Sequence, residues 1–457
     1  MKNTLNIKTL RMVVTGVSLA IAAQASMAAV DASMAEQLKT TLTPVGAEKA
    51  GNADNTIPAW SGGYSKVAEG YTSGEPRPDP FAGEQPLFTI TADNLSQYSA
   101  QLNDGVKALF AKNPDFRMNI YPTHRTAAAP QWVYDNTLKN ATNAALAADE
   151  ASVSGAYGGI PFPIPETGAE VMWNHRLGWS GQSVEYAMKT YIVTSDGHRS
   201  LASEGEELLQ FPYYYKEGNA ASYSGVNQLG RFIVTGPASK AGEAILVHDP
   251  SVAEKKRAIW QYLVGQRRVR KAPSVAYDTP DFVTSGVGLF DEAFMMFGPI
   301  DRHSYKLAGK KEIFIPYNNN HAAQVGIDEL MGDHYLNPEN VRWELHRVWV
   351  VEAELKPGLR HTVPKRTYYI DEDSWKIVLF DGWDAKGDLW RMNYSLTYLV
   401  PELPALVTNV MWGGYDLQTG AYYLNAAMNG GTPHYRVREP ISEGTWSPVE
   451  LANQGAR

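Results

Sequence analysis

The sequence predicts an α+β protein, mainly antiparallel β, in which one sheet curves into an incomplete barrel capped by helices and preceded by an extended arm. Two observations carry this. First, residues 341–398 alternate for longer than a loop or an ordinary short strand can. Val341, Trp343, Leu345, Arg347, Trp349, Val351, Ala353 and Leu355 fall on one side of the first run, and Arg342, Glu344, His346, Glu352 and Glu354 take most of the other. Period two over that length predicts a strand with a buried and a wet face. Breaks at Pro357-Gly358, at Asp371–Ser374 and at Asp384–Asp388 divide the stretch into four strands of an antiparallel meander. Fifteen residues at about 3.4 Å each reach about 50 Å, which suits a sheet that curls around something. Second, the chain from Ala29 to about Pro86 is rich in Pro, Gly, Asp and Ser, the composition of extended chain lying on a surface.

In chain order, Met1–Ala28 reads as a secretory signal peptide: a basic start (Lys2, Lys8, Arg11), an apolar run from Met12 to Ala23, and Ser26-Met27-Ala28 as a cleavage site. The run is too short to span a membrane. Without cysteine there is no lipidated N-terminus, and the expected destination is a Gram-negative periplasm. Removing the three basic residues leaves 38 Lys and Arg against 49 Asp and Glu, a net charge of −11. That argues against nucleic acid as a partner and against docking on anionic membranes by charge. The absence of cysteine also excludes disulfides, thiol catalysis and thiolate metal sites.

The expected arm is 29–90, held by Trp60 and Phe81, followed by a helical segment over 91–150. There the spacing of Leu95, Tyr98, Leu102, Val106, Leu109 and Phe110 predicts a helix from about 92 to 112, with a second over Asn136–Ala148. A curved sheet is expected over 151–430 and a tail over 431–457. Thr167-Gly168-Ala169-Glu170 has capping-box spacing and predicts a short helix. Strands are expected over Glu185–Thr194, Phe211–Lys216, Arg231–Thr235, Gln266–Lys271 and Lys306–Tyr317, with a helix starting at Asp249-Pro250 and ending by Gly265. Residues 281–301 hold Phe294, Met295 and Met296 among glycines and acids with no sustained period. Such a segment reads either as core filler or as an adaptable lid over an apolar cavity.

The chemistry is sparse. His303, His321, His334, His346 and His361 have no metal-binding spacing, and neither a nucleophile elbow nor a phosphate-cradling loop occurs, so no metal and no cofactor are expected. Paired acids for glycoside hydrolysis leave no sequence signature, because their pairing is spatial. Arg347 stands among apolar neighbours at i±2. Its stem packs while its guanidinium pairs with a carboxylate or carbonyl, or else it meets the polar end of a bound amphiphile.

Several stretches together resemble the bacterial DUF1329 family: Gly46–Asp54, Asp79–Ala82, Pro86–Ala92, Tyr121–Arg125, Gly159–Pro165 with Trp173-Asn174-His175, Gly309–Glu312 with Ile315–Asn318, and Arg342–Glu352. The resemblance covers nearly the whole chain after residue 28. It implies a LolA-like or LolB-like curved sheet over an apolar cavity, of the kind termed outer membrane lipoprotein-sorting, and an RND-type exporter with an outer-membrane partner as neighbours. The arm and the 281–301 segment have no counterpart in LolA.

The resulting expectation is a periplasmic carrier or accessory protein, not an enzyme, that binds a lipid or other hydrophobic small molecule and makes at most transient membrane contact. Trp343, Leu345, Arg347, Trp349 and Val351 are expected on the cavity face, with Phe294, Met295 and Met296 at its mouth. Two rivals remain. One is a non-catalytic interaction module whose sheet is filled by its own side chains. The other is an envelope glycan or lipid hydrolase using an acid among Asp381, Asp384 and Asp388.

Overall fold

The computed structural model describes residues 30–272, 275 and 277–455. The expected signal peptide, Met1–Ala28, lies outside the described residues. The strands are β1 (Phe88–Ile90), β2 (Met118–Ile120), β3 (Ala145–Leu146), β4 (Val153–Ser154), β5 (Ser183–Val193), β6 (Arg199–Gln210), β7 (Val226–Gly236), β8 (Ala244–Pro250), β9 (Ala258–Leu263) and β10 (Arg268–Lys271). There follow β11 (His303–Pro316), β12 (Trp343–Leu355), β13 (Lys365–Asp371), β14 (Ile377–Trp383), β15 (Leu389–Ser395), β16 (Tyr398–Val400), β17 (Ala405–Val407), β18 (Trp412–Asp416), β19 (Tyr422–Ala427) and β20 (Arg436–Arg438). The helices are α1 (Ala32–Ala35), α2 (Leu95–Tyr98), α3 (Asp104–Lys112), α4 (Gln131–Asn143), α5 (Gly168–Arg176), α6 (Ile327–Leu330) and α7 (Pro448–Gly455).

One mostly antiparallel sheet organises the chain, in the order β1-β2-β12-β13-β14-β15-β18-β19-β5-β6-β7-β8-β9-β10, with β11 along β12 and β20 on β5. Among the described residues no pairing joins β10 to β11, so the sheet is open. The meander read from the sequence is β12 to β15, paired in sequence. The expected wet face is wet only at its far end: Glu344 and His346 on β12 are 0% and 1% exposed, whereas Glu352 is half-buried and Glu354 exposed. Over the first half the alternation arises instead from two buried environments, one apolar and one ionic. Glu344 accepts hydrogen bonds from Arg342, Asn318 and the His124 backbone N–H, partners that make burial of a carboxylate tolerable.

Helix α5 begins as its spacing predicts. Thr167 accepts a hydrogen bond from the Glu170 N–H, and the Glu170 carboxylate accepts one from the Thr167 N–H. Every residue from Gly168 to His175 is buried, so the helix is covered all round, against β11 and β12 in particular. A Cβ at Gly168 would stand 2.6 Å from the Tyr305 carbonyl oxygen of β11, and this close approach requires glycine.

Four local expectations are corrected. The helix expected over 92–112 is broken: α3 starts afresh at Asp104 because Asn103 Nδ2 and the Asp104 and Gly105 N–H groups donate to the buried Asp381 of β14. The next helix starts earlier than expected, at Gln131 directly after Pro130, and ends at Asn143. Phe211–Lys216 is a short 3-10 turn rather than a strand, consistent with Pro212, which cannot donate to a ladder. The helix expected from Asp249 is the hairpin β8–β9: its local start signal yields to ladder pairing, and the Asp249 carboxylate pairs with Arg176 and Arg257 rather than capping a helix.

The arm lies on the protein itself. Trp375 donates to the Val45 carbonyl at 2.8 Å, Trp60 to that of Ala127 at 3.3 Å, and the Phe81 ring stacks on His124 at 4.2 Å. At the other end, β20 pairs with β5, and Trp446 and Leu451 cover Leu208 and Leu246 on the outer face of the sheet.

Candidate binding cavity

Strands β6, β7 and β8 turn Leu209, Phe232, Ile245 and Val247 inward, the alternate residues of each strand. Segment 281–301 crosses over them. Asp281 and Gly288 tie its first loop, Arg391 Nη1 donates to the Val287 carbonyl at 2.6 Å, and a 3-10 turn, Phe290–Met295, follows. Phe294 and Met295 hold left-handed backbone, φ 53° and 71°, a cost that bulky side chains rarely accept and one that clusters at sites that move or bind.

Between segment and sheet lie two adjoining chambers. The first, about 70 Å³, is largely apolar, bounded by Phe232, Ile245, Phe282, Phe294, Phe297 and Trp412. Glu207 and Asp281 are its two acids. Burial raises the Glu207 carboxyl to about 8, with Arg231 across the sheet only partly opposing this, so Glu207 stands protonated at neutral pH. Asp281, raised by burial to about 6, accepts from the Val283 N–H. Trp412 Nε1 has no hydrogen-bond acceptor. The second chamber, about 50 Å³, shares Leu209, Gln228, Phe294 and Phe297 with the first and is polar: His175, Arg176, Ser180, Asp249, Lys376 and Asn409 border it. Burial lowers the His175 ring to about 3, and its Nδ1 accepts the Ile377 N–H, so this imidazole is neutral.

Among the described residues one set has metal-like geometry, His346, Asp371 and Asp373, with candidate ligand atoms within 4.8 Å of one another. Arg125 already clamps Asp373 at 2.7 and 2.8 Å, and His346 Nε2 meets Glu344 at 3.0 Å. This is the arrangement of an internal ion network.

The family described as a protein of unknown function, DUF1329, matches residues 89–452. The chain belongs to the DUF1329 family. An uncharacterized protein of Pseudomonas aeruginosa is 38% identical over 450 residues, covering 97% of this chain and 98% of that protein. Among solved structures, a DUF1329 family protein from Desulfovibrio piger aligns at 13% identity and TM-score 0.41, over 60% of this chain and 92% of its own. A LolA superfamily protein from Nitrosomonas europaea aligns at 11% and TM-score 0.36, over 62% and 98%.

In this DUF1329 protein, Phe294 lies between both chambers, Met296 borders the polar one, and Met295 is buried beside them without lining either. The five β12 residues line neither chamber. Trp343 and Leu345 are buried in the core, and so is Val351, while Trp349 stacks with Trp375 at 6.1 Å. Arg347 Nη1 donates to the Ala50 carbonyl and to Glu372, and Nε lies near Glu48 and Glu312, so its guanidinium fastens the arm. The structure places these β12 residues away from both chambers, while Trp343 borders a smaller pocket with Leu109, Phe116 and Met392. Asp381 holds the start of α3, whereas Asp384 accepts from its own turn at Lys386 and Asp388; the three acids do not converge. Sequence reasoning missed Glu207, Arg257 and Lys376. Lys376 had a signal: it is the one charged residue in Trp375–Phe380, the same anomaly that singled out Arg347.

Proposed function

We propose that this chain is a carrier or accessory protein, without catalysis, that holds an amphipathic lipid-like molecule between the β6–β8 wall and segment 281–301. The observation that carries this reading is the apolar chamber bordered by Phe294 in strained backbone, next to a polar chamber that shares that same ring. Apolar burial at about 25 cal/mol per Å² supplies affinity without further chemistry. The first chamber, about 70 Å³, is about half the ~150 Å³ of a cavity that admits benzene. Entry of an acyl chain therefore requires Phe294 and Phe297 to swing away, and the strained turn is where that motion starts. Loading of the closed state is then population of an open one. The apparent signal sequence suits work in the periplasm, and among the described residues no helix is long and apolar enough to cross a membrane. Partnership with an RND-type exporter and an outer-membrane protein belongs to the same proposal and rests on the family resemblance alone.

The small volume favours one second reading, an interaction module whose sheet is filled by its own side chains. Native mass spectrometry of gently purified protein separates the two. A retained lipid near one per chain, with uptake of a neutral apolar fluorophore, supports the carrier. An empty protein that takes up no fluorophore sinks it and leaves the interaction module, to be pursued by co-purification.

A further inference from the structure

The polar chamber carries unbalanced buried charge. Lys376 is 5% exposed, and its Nζ donates to two neutral oxygens, the Gly178 carbonyl at 2.9 Å and Ser180 Oγ at 2.7 Å. An ammonium has three donors, so one remains. Arg176 is neutralised by Asp249 at 2.7 Å. Behind the wall lies a third cation, Arg257, whose guanidinium sits 4.0 Å over the Phe297 ring and 3.3 Å from the same Asp249. None of its side-chain N–H groups meets an acceptor in hydrogen-bond geometry. Its Nη1 would lie 2.2 Å from a Cβ at Gly298, a residue of the chamber wall. The other carboxylate that Arg257 feels, Asp291, is held by Arg366 and His361, each at 3.0 Å. Asp249 thus serves both arginines, and among the described residues no carboxylate pairs with Lys376.

Buried charge is tolerated when it is paired, and lysine is almost never fully buried without a partner. Asn409 adds a second orphan in the same chamber: it is buried, and its Nδ2 has no acceptor. The unsatisfied groups named here are donors and cations, apart from Asp249 Oδ1, which makes no hydrogen bond but lies 3.3 Å from Arg257 Nε, and the apolar chamber adjoins across the shared Phe294 and Phe297.

We propose that the polar chamber seats an anionic head group, a carboxylate or phosphate, belonging to the amphiphile whose apolar part occupies the adjoining chamber. This rests on the carrier reading above and narrows it: neutral and cationic amphiphiles are the wrong class. Burial, with no carboxylate alongside, pulls Lys376 down to about 7, and a bound anion restores its charge. Arg176 and Asp249 frame the seat, and Lys376 and Asn409 supply donors to it.

The test uses the full chain and one alkyl length with four heads: dodecyl phosphate, dodecanoate, dodecanol and dodecyltrimethylammonium. Competition against 1-N-phenylnaphthylamine, a neutral apolar probe, reads each affinity. The expected result is at least tenfold tighter binding of the two anions than of the alcohol, with the cation weakest. Lys376→Met should lose that preference while keeping its affinity for the neutral probe. Lys376→Arg, which keeps the charge, should retain the preference. Equal affinity for all four heads, with the neutral probe still bound, overturns the head-group assignment and leaves the carrier reading intact. Failure of the neutral probe to bind overturns both. Inorganic phosphate is the last arm: if it binds as tightly as dodecyl phosphate without displacing the probe, the chamber is a free-anion site and the amphiphile assignment falls.

Discussion

The Phe294 ring meets Trp412 edge-on, with centroids 6.1 Å apart and planes at 62°, and so joins the 281–301 segment to the sheet wall. The contact is made from left-handed backbone, so ring and strain can be separated by substitution. Phe294→Ala removes the ring and keeps the strain. Phe294→Gly removes both. The glycine variant is expected to be more stable than the alanine variant by about 1 kcal/mol in urea unfolding, and both should take up a neutral apolar probe faster than the parent. An alanine variant at least as stable as the glycine one would show that the left-handed turn stores no strain.

Glu207 gives stability a pH dependence of definite sign. Burial raises its folded value to about 8 from 4.5, so the folded protein keeps a proton that the unfolded chain releases. Its contribution is fully present below about pH 4.5 and is lost as pH rises to about 8, on the order of 1.4 kcal/mol per pH unit in between. Glu207→Gln should flatten that part of the curve and be the more stable protein at pH 9. Parallel melting curves for the two proteins from pH 5 to 9 would count against it.

Arg347→Leu tests the assignment of this side chain to the arm. It removes the tie to Ala50 and one of the cations on Glu372, which keeps Lys310 and Arg125. The expected cost is about 1.5–3 kcal/mol, as for lost hydrogen bonds to a charged group, with faster protease cutting before residue 60. Affinity for dodecanoate, judged against that for dodecanol, should not change. A selective loss for the anion would return Arg347 to the binding site.

Asp381→Ala leaves Asn103 Nδ2 and two backbone N–H groups without their acceptor at the start of α3. A loss of at least about 2 kcal/mol is expected, with amide exchange quickened across Asp104–Lys112. Unchanged exchange there would remove Asp381 from its place as the helix's anchor.

The meander and the capping box were legible because each depends on neighbours within a few residues: the alternation of β12 and the Thr167/Glu170 pair are local facts. The β8–β9 hairpin was not. Val252, Ile259, Trp260 and Leu263 fit one helical face equally well, and only the ladder of β7 on β8 decides between them. The cavity was half legible. Phe294 and Met296 stood out by composition, whereas Glu207 is one acid in the acidic run Glu204–Glu207 until the pleat turns it inward. Lys376 and Arg347 gave the same signal from sequence, a cation in an apolar run, yet one borders a cavity and the other pins the arm. Which cation faces open space is decided by packing against distant segments, and periodicity does not record that.

The open ends of the sheet bear on how copies of this protein behave beside one another. An unclosed sheet leaves a row of free amide and carbonyl groups at each margin, a template for strand addition between molecules. One margin, β10, reads Arg268-Val269-Arg270-Lys271, so three of its four side chains are cationic. At the other, β11 carries Lys306, Lys310 and Lys311 and is kinked where its register slips between Leu307 and Gly309. Cation would face cation where two β10 margins met; on β11, Lys306 pairs with Glu352 and Lys310 with Glu48 of the arm, and the kink would spoil the match. The protein can therefore keep its barrel unfastened while its margins oppose the edge-upon-edge pairing by which such sheets grow into fibres.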